Sequence, residues 1–146
     1  MTKIYLASPF FNEEELFIYE EVISILRNKN DIYLYVPMEH EIPNAYDISN
    51  KDWGKRVFEL DKEAIDNSDI VIVLNHGMYS DSGTAWEAGY AYAKGKTVYH
   101  VLCGNDDKQE YSLMMINGTG TILTLDDLRQ GIIPVQNEVL DKINQK

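Results

Sequence analysis

The sequence predicts an α/β fold: a doubly wound, mostly parallel five-stranded sheet in a flavodoxin-like three-layer sandwich. Three observations predict it. Short β-branched runs alternate with segments whose apolar residues recur at helical spacing, the pattern of repeated β-α units. The run at 69–74 (DIVIVL) is unbroken in its apolar part, as in a strand whose sheet is covered on both faces, and such sheets are parallel. The length of 146 residues, 45% of them hydrophobic, suits one domain spanning 1–146 with a core of its own.

The elements follow in order. Residues 3–8 (KIYLAS) read as a buried strand stopped by Pro9. Asn12, with Glu15 three residues on, resembles a capping box, and Leu16, Tyr19, Val22, Ile23 and Leu26 share one face of a helix over 13–27. Its Glu13-Glu14-Glu15 start sits where the helix dipole favours negative charge. Residues 32–36 (IYLYV) form a second strand ended by Pro37. The segment 38–50 reads as a loop, and loops of that length in a compact domain are usually functional or mobile. A helix over 52–67 carries Val57, Leu60, Ala64 and Ile65 on one face. Strand 69–74, a polar loop 75–82, a helix over 83–94 ended by Gly95, and a strand at 97–102 come next. A loop at 104–111 leads to a weaker apolar patch at 113–116 and a fifth strand at 121–125. Pro134 opens a C-terminal helix with Val135, Val139, Leu140 and Ile143.

Composition removes several functions. With 13 Lys+Arg against 24 Asp+Glu the formal charge is -11, so the chain is not expected to grip polymeric nucleic acid or an acidic membrane surface. No apolar run approaches the ~20 residues of a membrane span, and no signal-peptide pattern opens the chain, so a cytoplasmic protein is expected. Cys103 is the single cysteine, which excludes an internal disulfide and a thiolate metal cluster. His40, His76 and His100 show no metal-ligand spacing, and surface or hydrogen-bonded structural roles are expected for them. No cofactor is expected: neither the dinucleotide fingerprint nor the P-loop pattern occurs, and no G-x-S-x-G elbow is present.

In doubly wound sheets, ligands bind outside the carboxyl ends of the strands. That rule selects 7–11, 75–87 and 104 onward. The second of these runs from loop into helix as DSGTAWEAGY, with Asp81 before the helix and Glu87 about a turn inside it. Both can face the carboxyl edge of the sheet. Gly83 would let a ligand approach the backbone, and Gly89 would let the helix pack closely on the sheet. The competing reading is that Asp81 or Ser82 caps the helix and Glu87 is solvated. Asp61, in the preceding helix, could likewise be only a solvated carboxylate. Trp53 lies eight residues earlier, just over two helical turns, and can flank the same side as Asp61. An aromatic ring beside carboxylates suits a planar heterocycle with ring nitrogens.

The run DSGTAWEAGYAYAKGK (81–96), the opening KIYLASPFFN (3–12) and the Trp53…Asp61 pair resemble the nucleoside 2-deoxyribosyltransferases, in order and over nearly the whole chain. The resemblance implies exchange of 2-deoxyribose between nucleobases with retention at the anomeric carbon. It implies Glu87 as the nucleophile that forms a covalent deoxyribosyl ester, Asp81 and Asp61 as base-binding carboxylates with Asp81 the expected proton donor, and Tyr5 as the hydroxyl that positions Glu87. Crowded carboxylates are expected to raise the pKa of at least one of them. Phe11 and Trp53 match aromatic walls of the base pocket, whereas Phe10 is read as core. Ser112 and Met114 fall where the family supplies residues from a neighbouring subunit toward the sugar 5′-hydroxyl. The family often has asparagine at Ser112, a departure that bears on 5′ recognition.

The implied partners are small deoxynucleosides and nucleobases in nucleoside salvage. A homo-oligomer built from dimers, hexameric by resemblance, would put the site near a subunit interface. Two other readings stay open. One is a 2′-deoxynucleoside 5′-monophosphate N-glycosidase, for which the segment Ser8-Pro9-Phe10-Phe11 lacks the expected arginine. The other is a non-catalytic nucleotide- or nucleobase-binding protein.

Overall fold

A computed structural model describes residues 1–40, 42, 45–104, 110–118 and 120–132. The C-terminal helix expected from Pro134 onward lies outside the described residues, as does most of the loop expected at 104–111.

The chain folds as β1 (Thr2–Ala7), α1 (Glu13–Arg27), β2 (Ile32–Tyr35), α2 (Asn50–Asp66), β3 (Ile70–Asn75), α3 (Ser82–Ala93), β4 (Thr97–Leu102), α4 (Leu113–Asn117), β5 (Thr121–Thr124) and α5 (Leu125–Arg129). Two 3-10 turns, Pro37–Glu39 and Ala45–Asp47, interrupt the long connection between β2 and α2. The strands form one sheet in the order β2-β1-β3-β4-β5, and every pairing is parallel. This is the flavodoxin-like order, with its switch point between β1 and β3.

Alternating side chains of the strands feed two cores. Ile4 and Leu6 of β1, Ile70, Ile72 and Leu74 of β3 and Tyr99 and Val101 of β4 pack with Tyr19, Val22 and Leu26 of α1 and Leu128 of α5. Tyr5, Ala7, Val71, Val73 and Val98 point the other way, against Ile65 of α2 and Ala88 and Ala91 of α3. All six residues of β3 are buried, which accounts for its unbroken apolar run.

Local chemistry fixes the ends. The Asn12 side chain accepts from Glu15 N at 2.8 Å, while Glu15 Oε1 accepts from Phe11 N rather than from Asn12 N, a capping box displaced by one residue. At the end of α3 the N–H groups of Gly95 and Lys96 donate to the carbonyls of Tyr92 and Ala91, and Gly95 takes φ +73°, the left-handed stop that favours glycine. Two expectations are corrected. Gly89 is exposed and a Cβ there would meet nothing within 4 Å, so the close approach of α3 to the sheet comes from Ala88 and Ala91 instead. The strand expected to reach residue 125 stops at Thr124, because Thr124 and Asp127 form a reciprocal capping box that starts α5.

Candidate active site

Three elements converge at the carboxyl edge of the sheet. α3 begins at Asp81, whose Oδ2 accepts from Thr84 N at 2.9 Å and Thr84 Oγ1 at 3.0 Å. A Cβ at Gly83 would lie 3.2 Å from that same oxygen, so the glycine makes room for the carboxylate. Glu87 follows within α3 and accepts a hydrogen bond from the Tyr5 hydroxyl. Tyr5 is fully buried on β1, and its ring stacks on that of Tyr35, its register neighbour on β2. Asp61 approaches from α2. The carboxylates Asp61, Asp81 and Glu87 line one open cavity of about 1280 Å³, together with Ser8, Phe10, Phe11, Trp53, Phe58, Gly83 and Trp86.

Burial sets the electrostatics. It lifts the Glu87 carboxyl from 4.5 to about 7, with the Tyr5 hydrogen bond opposing and the charges of Asp61 and Asp81 adding smaller pushes upward. The expected effect of crowded carboxylates is therefore present, but removal from water is the larger cause. Burial and the adjacent Glu87 charge drive the Tyr5 hydroxyl far above its ordinary value, so it remains a donor. Asp61 is also raised by burial, opposed by the charge of His40. Carboxyls raised by burial and held by a hydroxyl donor are common among groups that act as nucleophiles or acids.

Six of the nine residues singled out from the sequence line the cavity: Asp61, Asp81, Glu87, Phe11, Trp53 and Gly83. Tyr5 stands behind Glu87 and reaches the site through its hydroxyl. Ser112 and Met114 are not among the residues lining the cavity; Ser112 caps α4 without a side-chain hydrogen bond and Met114 is 86% exposed. Asp81 does cap its helix, so the bland reading holds for one of its oxygens and leaves the other free for a ligand. Phe10 combines its expected core role, stacked on Tyr19 at 5.4 Å, with a place on the cavity wall.

The length of the 38–50 connection between β2 and α2 marks it as functional or mobile, but no residue of it is expected at the site from the sequence. Met38, His40, Tyr46 and Asp47 all line the cavity, from a loop whose length is its signal and which leaves the carboxyl end of a strand like the three loops selected. On the rim, Trp86 stacks on Tyr90 at 5.1 Å and meets Phe58 edge-on at 5.0 Å. Of the other histidines, His100 is buried with Nε2 2.7 Å from Asn75 Nδ2, the structural role expected of it. Among the described residues, no group of three or more His, Cys, Asp and Glu side chains is arranged to hold a metal ion, and no helix is long and apolar enough to cross a membrane.

A half-buried carboxylate held by a strand tyrosine, beside two more carboxylates and an aromatic wall, thus lies at the carboxyl edge of a parallel α/β sheet, where such folds bind ligands. Residues 4–138 match the family model of the nucleoside 2-deoxyribosyltransferases, so the chain belongs to that transferase family. A nucleoside deoxyribosyltransferase of Limosilactobacillus fermentum is 26% identical over 136 residues, covering 86% of this chain and 81% of its own. The structure of a 2-deoxyribosyltransferase from Bacillus psychrosaccharolyticus is 33% identical, with a TM-score of 0.74 over 87% of this chain and 90% of that one. A CMP N-glycosidase of Clostridium botulinum shares the fold at 20% identity, with a TM-score of 0.57 over 98% of this chain and 99% of that one.

Proposed function

We propose that this protein transfers 2-deoxyribose between nucleobases through a covalent ester on Glu87, in cytoplasmic nucleoside salvage. The observation that carries the reading is the Tyr5–Glu87 hydrogen bond, set in a cavity shared with Asp61 and Asp81. In the first half-reaction the Glu87 carboxylate attacks C1′ while the bond from C1′ to the base nitrogen breaks. The bonding pair leaves on the base, and a proton from Asp81 neutralises it as Asp61 holds the ring. The incoming base then attacks C1′ with its ring nitrogen, returns a proton to the carboxylate, and releases Glu87. Two displacements at one carbon give retention. Tyr5 keeps the attacking oxygen oriented and stabilises its charge. Phe11 and Trp53 flank the base, and Gly83 leaves room for the Asp81 carboxylate that meets it.

The lining charges favour an uncharged nucleoside over its 5′-monophosphate. Four acidic side chains, Asp47, Asp61, Asp81 and Glu87, line the cavity against Lys62, which is already 3.4 Å from Asp66. A phosphate dianion would meet a repulsive field there. Incubation of deoxyinosine with adenine, followed by chromatography, is the test: deoxyadenosine and hypoxanthine are expected. Free deoxyribose with no new nucleoside, or turnover of the 5′-phosphate alone, would overturn the reading in favour of the glycosidase. Binding without turnover would mean a silent binding protein.

The open cavity and the exposed Met114 support a homo-oligomer of dimers in which Ser112 and Met114 of a neighbouring copy reach the sugar. Sedimentation at assay concentration is the check, because an active monomer would refute it. The single buried thiol of Cys103 is in keeping with a reducing compartment.

A further inference from the structure

His40 is a cavity residue to which the reaction above gives no task. It ends the 3-10 turn Pro37–Glu39, its N–H donating to the Pro37 carbonyl at 3.1 Å. Its imidazole lies flat on the Tyr35 ring, with centroids 3.9 Å apart and planes 8° from parallel. Tyr35 stacks in turn on Tyr5 at 5.6 Å and 12°, and the Tyr5 hydroxyl holds Glu87. Three rings thus run as a column from the partner of the nucleophile to the cavity wall, and His40 is the exposed end of that column. Asp61 lines the same cavity as the imidazole.

Resting on the transferase reading, we propose that His40 is a base-recognition residue, whose imidazole, fixed face-on by Tyr35, offers its edge beside Asp61 to the rim of a purine. The chemistry suits that rim. A neutral imidazole carries one N–H donor and one nitrogen acceptor, and a change of tautomer exchanges their places. It can therefore accept from a 6-amino purine or donate to a 6-oxo purine without moving, while the Asp61 carboxyl takes the complementary neighbour. The stack limits the rotation of the ring, so the edge is presented at little cost in ordering.

The test separates recognition from support of the column. His40→Phe keeps a flat ring on Tyr35 but removes both polar atoms, and His40→Gln restores a donor and an acceptor without the ring. Steady-state transfer from deoxyinosine to adenine is measured for each variant, with thermal melting to confirm folding. For His40→Phe, the KM for adenine is expected to rise about tenfold, as for one lost hydrogen bond, with kcat within about twofold. His40→Gln is expected to recover part of that KM. An unchanged KM in His40→Phe, or a fall in kcat alone, would overturn the inference and leave His40 a prop for Tyr35. Absence of transfer by the unmodified protein would instead refute the transferase reading, so the two failures are distinguishable.

Discussion

Glu87 is costly to fold around, and that cost has a definite pH dependence. Its carboxyl is raised from 4.5 to about 7 by burial, so the folded state holds the proton more tightly than the unfolded chain does. The favourable contribution is complete below pH 4.5 and is lost as pH rises through 7. At ~1.4 kcal/mol per tenfold change in proton affinity, the penalty above pH 7 is on the order of 3 kcal/mol. Glu87→Gln, which still accepts from Tyr5, is therefore expected to melt higher than the parent at pH 8 and alike at pH 4.5. Equal melting at both pH values would refute this, and loss of transfer in the same variant would illustrate a site that exchanges stability for activity. Tyr5→Phe moves the proton affinity in the same direction as burial does. The Tyr5 hydrogen bond lowers the Glu87 pKa, so its removal raises it further, and the acid limb of kcat/KM should move to higher pH. A loss of about tenfold or more at pH 7 fits a hydrogen bond to a charged group. An unmoved acid limb would show that Tyr5 only fills space.

Among the elements, α3 serves as scaffold and site at once. Asp81 closes the helix N-terminus with one oxygen and faces the cavity, so its two roles need separate variants. Asp81→Asn keeps an acceptor for Thr84 and should stay within about 0.5 kcal/mol of the parent, whereas Asp81→Ala loses the cap at a cost of about 1 kcal/mol. Both are expected to lose transfer in calorimetry-matched preparations; full activity in Asp81→Asn would remove Asp81 as proton donor. Helix ends of this kind are legible in the sequence. Asn12 and the acidic turn after it place the start of α1, and Gly95 places the end of α3. The capping pair Thr124 and Asp127 carries the same signal for α5 but is masked by the β-branched run before it. Gly89 misleads because a small residue suggests close packing, whereas its orientation toward solvent is set by the phase of the helix.

For the molecule as a whole, sheet order and the place of the cavity are legible in the sequence, because parallel β-α units put loops at one edge and that edge binds ligands. The carboxylates are legible as a motif but not as a cluster. Asp61 and Glu87 are 26 positions apart, and only the packing of α2 beside α3 brings them to one cavity. The share taken by His40 and Asp47 is not legible residue by residue, since their loop has length as a signal but no periodicity to read, and His40 meets Tyr35 only in the folded chain. The proposed mechanism turns on Glu87 as a covalent carrier of deoxyribose. Intact-protein mass spectrometry after brief acid quench with deoxyinosine examines that step itself. A deoxyribosyl adduct on the protein is expected, absent in Glu87→Ala and discharged by adenine; transfer to adenine with no adduct, or an adduct that survives in Glu87→Ala, would contradict the mechanism.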